Sequence, residues 1–270
     1  MKNSWTKFKT NPLYLPTYLG VHTLILVIAY ALLLQYSNHD LSLHLTFNHL
    51  LLLPVALVFG IQVPTLMHNC VHDNLRSKKL NFIIGELSCF FVLMSLGIIG
   101  INHTLHHAHA DSHEDPHNPA KKTFLQFFFT SLVTGVEIIG NKYYRFHSKS
   151  TRTKILYNSS ICMHYAGIFL RLGLWFLLLG PTLFISFFIP AFFFYVFAFA
   201  HVNYITHIID EEGKAQIINI NSNIYYKLIN FIGSGVYYHK NHHLNPRCYN
   251  PKYYKVQKRR SLLPIILELQ

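Results

Sequence analysis

Long apolar runs alternate with polar segments along this chain. Such runs cover residues 18–36 and 49–67, and a longer one extends from 165 to 202. A helix needs about 20 apolar residues to cross a bilayer, so the longest run can hold two crossings that turn near Gly180 and Pro181. Two crossings need more helix than 172–202 supplies, so the third is expected to begin near residue 164. The pattern predicts an all-α, multi-pass membrane protein, one domain over 1–270, with spans at about 18–36, 49–67, 164–182 and 184–202.

The basic residues are confined to three blocks. No Lys or Arg occurs between residues 10 and 75, and only Arg171 intrudes on the last apolar run. By the positive-inside rule both termini and the middle of the chain are cytosolic, and the loops at 37–48 and at Gly180 face outward. The net charge of +12 is then explained by a basic protein surface that faces anionic membrane lipids. Nucleic acid is not an expected partner, because the sequence shows no basic helix and no nucleic-acid-binding module.

Nine of the 19 histidines are gathered in short motifs. Residues three or four apart share one face of a helix, so each motif directs its imidazoles at one place. They form three clusters and a singleton: His68 and His72; His103, His106 and His107; His239, His242 and His243; and His207.

Two further apolar segments, 80–101 and 123–140, contain Glu86 and Glu137. If the first of them crossed the bilayer, the first two histidine clusters would lie on opposite sides and could not share a metal site. The first segment is therefore predicted to be embedded in the cytosolic leaflet or re-entrant, and the second to lie in the interface. All nine histidines then lie in a cap at the cytosolic face of a four-span bundle.

Imidazole ligands suit zinc, copper, nickel and iron. A structural zinc needs only four ligands, usually including cysteine, and the four cysteines here form no CxxC motif. Nine histidines plus Asn203 are enough for two metals with open positions, and iron is preferred. Eight other histidines are interpreted as ordinary polar residues, namely His22, His39, His44, His49, His109, His147, His164 and His201.

Three motifs carry a resemblance to a known family. The stretch from His103 to Asn118 resembles the HxxHH-x5-HxDPHN signature of stearoyl-type acyl-CoA desaturases. The pair Asn203 and His207 is similar to the extra ligand pair of that group, in which the asparagine reaches a metal through water. The last cluster, between Gly233 and Pro246, resembles the third histidine box. The chain is similar to the membrane-bound fatty acid desaturase superfamily, which has a four-span scaffold and a di-iron centre.

This resemblance implies that two Fe ions, dioxygen and two electrons from a ferredoxin or b-type cytochrome insert a cis double bond into a long acyl chain. The substrate is carried as acyl-CoA or as acyl-lipid, and no catalytic residue is separate from the metal ligands. The first box, His68-x-x-x-His72, is closer to acyl-lipid desaturases and to lipid hydroxylases or carotenoid ketolases. Hydroxylation or ketolation on the same scaffold is therefore the alternative, and a histidine-rich metal transporter is a third hypothesis.

Five further residues are candidates for orienting the ligands or binding the substrate. Asp115 and His117 have this role by resemblance, but Asp-Pro-His is also a common capped turn. Asp73 is either an acceptor for an imidazole N–H or a solvated charge at a helix end. The full set is Asp73, His113, Asp115, His117 and Asn118.

Overall fold

The structure of the chain is a computed structural model that describes residues 2–36, 41–209 and 214–254. Most of the described chain is helical, and the two strands found there form one small antiparallel hairpin. The elements are α1 (Lys2–Thr10), α2 (Tyr14–Tyr36), a 3-10 turn (Phe47–Leu52), α3 (Leu53–Val71), α4 (Lys78–Val92), α5 (Leu96–His109), α6 (Phe124–His147), α7 (Thr151–Leu183), a π-helical turn (Phe184–Phe188), α8 (Ile189–Thr206), β1 (His207–Ile209), β2 (Ala215–Ile217), α9 (Ile224–Ile232), α10 (His239–Leu244) and a second 3-10 turn (Pro251–Tyr253).

Within the described residues, three helical segments are long and apolar enough to cross a membrane, namely Tyr14–Gln35, Phe47–Val71 and Thr151–Thr206. The number rises to five if each of two bent helix pairs is one span. The all-α, multi-pass membrane fold is confirmed. The span boundaries stay a prediction, and parts of the predicted outer loop (37–40) and of both termini (1 and 255–270) lie outside the described residues.

The longest segment reverses direction at Gly180. This residue has φ 67° and ψ 168°, a conformation that glycine adopts without the steric cost of a Cβ. The rings of Trp175 and Phe188 are 5.1 Å apart, whereas a straight helix would separate these positions by about 20 Å. The segment is therefore a helical hairpin with its turn where the sequence predicts one.

The segment after the first histidine cluster does not run straight. Helices α4 and α5 meet at 91°, and Leu93 at the corner has a left-handed φ of 63°. Glu86 of α4 accepts a hydrogen bond from the Tyr18 hydroxyl, and His22 Nε2 lies 3.2 Å from its other carboxylate oxygen. The Gly97 N–H donates to the same tyrosine hydroxyl at 3.0 Å. These contacts hold the bend between α4 and α5 against α2, which is consistent with a re-entrant or interfacial segment.

Helices α3 and α8 pack closely along their length. A Cβ added to Gly60 of α3 would lie 2.2 Å from the backbone oxygen of Ala191 in α8. The two helices end at histidine positions, α3 at His68 and His72 and α8 at His207. Their close approach therefore sets the spacing of histidines that lie far apart in sequence.

Replacing Gly60 with alanine is expected to force α3 and α8 apart and to lower the free energy of unfolding by about 1–3 kcal/mol. Thermal unfolding of the purified protein in detergent measures this change. The matched control is Gly100→Ala, because a Cβ at Gly100 meets nothing within 4 Å and alanine favours a helix by up to about 1 kcal/mol. Equal destabilisation by the two changes would contradict the close-packing argument.

Candidate metal centre

The histidine clusters are carried by the ends of four helices. α3 supplies His68 in its last turn, and His72 follows it directly. The last two turns of α5 carry three histidines, and the short helix α10 is almost entirely the third cluster. His207 lies where α8 ends and β1 begins. The structure brings all nine histidines together, since each lies in ring contact with members of another cluster.

Four of them form a first group. One ring nitrogen from each of His68, His72, His103 and His242 lies within 4.8 Å of the others. The Nε2 atom of His103 is 2.9 Å from that of His68 and 2.7 Å from that of His72. His107 adjoins this group, with its Nε2 3.0 Å from His103 Nε2 and 2.9 Å from His242 Nε2.

The other four form a second group, consisting of His106, His207, His239 and His243. The Nε2 atoms of His207 and His239 are 3.1 Å apart, and those of His239 and His243 are 3.2 Å apart. His106 Nε2 is buried and has no hydrogen-bond partner. The two groups are neighbours, because the ring centroids of His107 and His243 are 4.3 Å apart.

This geometry fits metal ligation. Two nitrogens bound about 2.1 Å from one metal at right angles lie about 3 Å apart, which is the spacing within both groups. Burial lowers the pKa of His107 to about 3 and holds the pKa of His103 and His239 well below the usual range, and neighbouring histidines add to the effect. The rings of His103, His107 and His239 are therefore neutral at physiological pH, as a metal ligand must be.

Two carboxylates contact histidines of the second group through Nδ1. Asp115 Oδ1 lies 2.8 Å from His106 Nδ1, and Asp111 Oδ1 lies 2.8 Å from His207 Nδ1. An imidazole that donates its Nδ1–H to a carboxylate presents the Nε2 lone pair to the metal. Asp115 is one of the residues predicted from the sequence, whereas Asp111 is not. The position of Asp111 in the same polar loop was the available signal.

The other predicted residues lie at different distances from the two groups. Asn118 donates from Nδ2 to the backbone oxygens of Asp111 and Ser112, at 3.1 and 2.8 Å. His117 is buried, with its ring 5.4 Å from that of His106. His113 is exposed, and no described contact joins it to either group.

Asp73 and Asn203 complete the predicted set. Asp73 forms the turn that ends α3, where its φ is 59° and its N–H donates to Cys70. Asn203 is buried one helical turn before His207, and its amide donates to the Phe199 backbone oxygen at 2.8 Å. Its place on α8 puts it on the same helix face as His207.

Comparison with known proteins gives one match. The family model described as fatty acid desaturase matches residues 42–264, which is most of the chain. The protein belongs to the fatty acid desaturase family. The membrane-oxygenase character of this family, and its use of lipid substrates and oxygen, therefore extend to this chain. No curated protein and no solved structure matches it.

Several other histidines of this desaturase-family chain have partners outside the two groups. His147 Nε2 lies 2.7 Å from the Phe8 backbone oxygen, and His201 Nδ1 lies 2.6 Å from the Tyr237 hydroxyl. His109 lies 3.3 Å from Glu114. These contacts suit the interpretation that they are ordinary polar residues.

The metal-free protein is expected to lose stability as the pH falls below about 6.5. Burial lowers the pKa of His107 and of His117 to about 3 from the ordinary histidine value of 6.5, so below pH 6.5 the unfolded chain binds protons that the folded chain does not. The loss between pH 7.5 and 5.5 is about 1 kcal/mol for each such histidine, measured by thermal unfolding after chelation. His117→Phe should weaken this pH dependence, and a stability that is flat over the range would contradict it.

Proposed function

We propose that this protein is a membrane fatty acid desaturase that inserts a cis double bond into a long acyl chain with two irons, dioxygen and two external electrons. The observation that carries the proposal is the pair of adjacent histidine groups at the helix ends of a multi-pass chain of the fatty acid desaturase family. Two neighbouring sites of nitrogen ligands suit two redox-active metals better than one structural zinc.

In this proposal His68, His72, His103, His107 and His242 hold one iron. His106, His207, His239 and His243 hold the other, and Asn203 reaches it through water. The support is the spacing of the Nε2 atoms, between 2.7 and 3.2 Å, and the buried Nε2 of His106. Bound iron supplies the oxidising power needed to remove hydrogen from an unactivated methylene when dioxygen is present.

The chain itself contributes placement and exclusion of water. His103, His106, His239 and His242 are buried, so water has little access to the imidazoles. Desaturation removes one hydrogen from each of two adjacent methylenes, and these two hydrogens, two external electrons and two protons together reduce one dioxygen to two waters. The outcome depends on how the acyl chain lies relative to the irons, because small displacements change which bond reacts.

The electrons are proposed to come from a ferredoxin or a b-type cytochrome. Both termini and the metal centre are assigned to the cytosolic side, where the basic blocks of the chain lie by the positive-inside rule. A basic face raises the encounter rate with acidic donor proteins. The acyl group arrives as acyl-CoA or as acyl-lipid.

The second candidate is a hydroxylase or ketolase of lipids or carotenoids. The spacing of His68 and His72 favours it, because this first box resembles those relatives. Hydroxylation uses the same ligands, leaves one oxygen atom in the product and releases one water. Metal transport is less favoured, since a transport path needs ligands along the spans and the two groups lie at helix ends.

Expression in a host followed by a lipid profile tests the proposal. New unsaturated acyl chains are expected, and their amount should fall more than about 100-fold in the His106→Ala, His107→Ala variant, because loss of ligands costs more than loss of their outer partners. The control is His44→Ala, which changes an exposed histidine bonded to Ser42 and should keep full activity.

Hydroxylated or keto products that depend on the same histidines would replace the proposal with the second candidate. Product formation that survives the double substitution would contradict the metal centre. Purified protein that carries no iron under iron-replete growth would contradict it as well.

A further inference from the structure

We infer that Asp111 is a positioning residue and that, together with Asp115, it makes the second histidine group the tighter of the two metal sites. This inference rests on the proposed di-iron function, and it concerns how unequally the two irons are held. No comparison and no sequence motif assigns a role to Asp111.

The contacts are short and shielded from solvent. The side chain of His207 is 0% exposed and that of its partner Asp111 is 14% exposed. The values for His106 and Asp115 are 1% and 0%. In each pair the imidazole Nδ1–H donates to a carboxylate oxygen at 2.8 Å. Charge-assisted hydrogen bonds of this kind are stronger when they are buried.

Both carboxylates belong to the loop between α5 and α6, which is held by hydrogen bonds among its own residues. Asp115 Oδ2 accepts from the Asp111 N–H at 2.9 Å, and Asp115 Oδ1 accepts from the His117 N–H at 2.8 Å. Asn118 ties the start of the loop through the backbone oxygens of Asp111 and Ser112. The loop therefore delivers the two carboxylates as a unit, with little freedom for either to turn away from its histidine.

A third acid of the loop contacts side chains of α6 rather than the clustered histidines. Glu114 lies 2.8 Å from Lys142 Nζ and 3.5 Å from Arg145 Nη1. In the described part of the chain, neither Lys142 nor Arg145 touches the nine clustered histidines. Glu114 thus resembles Asp111 and Asp115 in charge and loop position but does not hold a ligand, which makes it a matched control.

The first group lacks this support. Among residues 2–36, 41–209 and 214–254 no carboxylate lies within bonding distance of His68, His72, His103 or His242. Their Nε2 atoms contact one another, as those of the second group do. Both groups of four consist of imidazoles, so the carboxylate partners distinguish the second group, and their effect outweighs that of His107, the fifth histidine proposed for the first iron.

A carboxylate behind an imidazole fixes its tautomer and ring orientation and makes Nε2 a better donor. Loss of such an outer partner typically lowers metal affinity 10- to 100-fold. Two of the four members of the second group are held in this way. The iron in that group is therefore released more slowly than the iron in the first group.

Removal of iron by a chromogenic ferrous chelator tests this in the iron-loaded, full-length protein. Wild type is expected to release one iron quickly and one slowly. Asp111→Asn and, separately, Asp115→Asn should speed the slow phase about 10- to 100-fold and leave the fast phase within twofold. Glu114→Gln should leave both phases unchanged, and His72→Ala should remove the fast phase.

An Asp111→Asn or Asp115→Asn protein that retains only one iron, and releases it in the fast phase, also supports the inference. A single release phase in wild type would overturn it, as would an unchanged slow phase in both aspartate variants. If Asp111→Asn speeds both release phases equally, or if Glu114→Gln speeds the slow phase as much as Asp111→Asn does, Asp111 has only a structural role. In those cases acyl desaturation can still stand, whereas wild type that binds fewer than two irons would overturn the inference and the proposed function together.

Discussion

Helix ends from distant parts of the chain bring mostly buried imidazoles into two adjacent groups, and the helix packing has to accommodate their mutual repulsion. Neutral histidines present lone pairs, and Nε2 atoms only 2.7–3.2 Å apart oppose one another unless a proton or a metal lies between them. Protonation is disfavoured because burial holds the pKa of rings such as His103 and His239 well below the usual range. Two metals satisfy the lone pairs without that cost, so the site suits divalent cations.

The membrane helices provide the frame that keeps these rings together. Gly60 lets α3 approach α8 at Ala191, and the 91° corner between α4 and α5 brings the second cluster back beside the first. Glu86 ties that corner to α2 through Tyr18. These three contacts lie away from the two histidine groups, but each one sets where a helix that carries clustered histidines ends.

Much of this could be predicted from residues alone. Apolar runs of spanning length require helices in a bilayer, and histidines three or four apart share a helix face. These local rules predict the multi-pass fold, the turn at Gly180 and a shared place for the nine histidines. They could not identify Asp111, because its contact with His207 joins residues 96 positions apart, and no periodicity links a loop to a distant helix end.

Residue types and their spacing were enough to indicate which residues could ligate metal, that the chain is helical and membrane-bound, and which family it resembles. How the nine histidines divide, with His103 and His106 of one helix in different groups, and which group receives carboxylate support, became visible only from the packing of the helices. The physical reason is that ligand type and hydropathy are properties of single residues and short windows. The sharing of ligands between two sites depends on distances between helix ends that only packing sets.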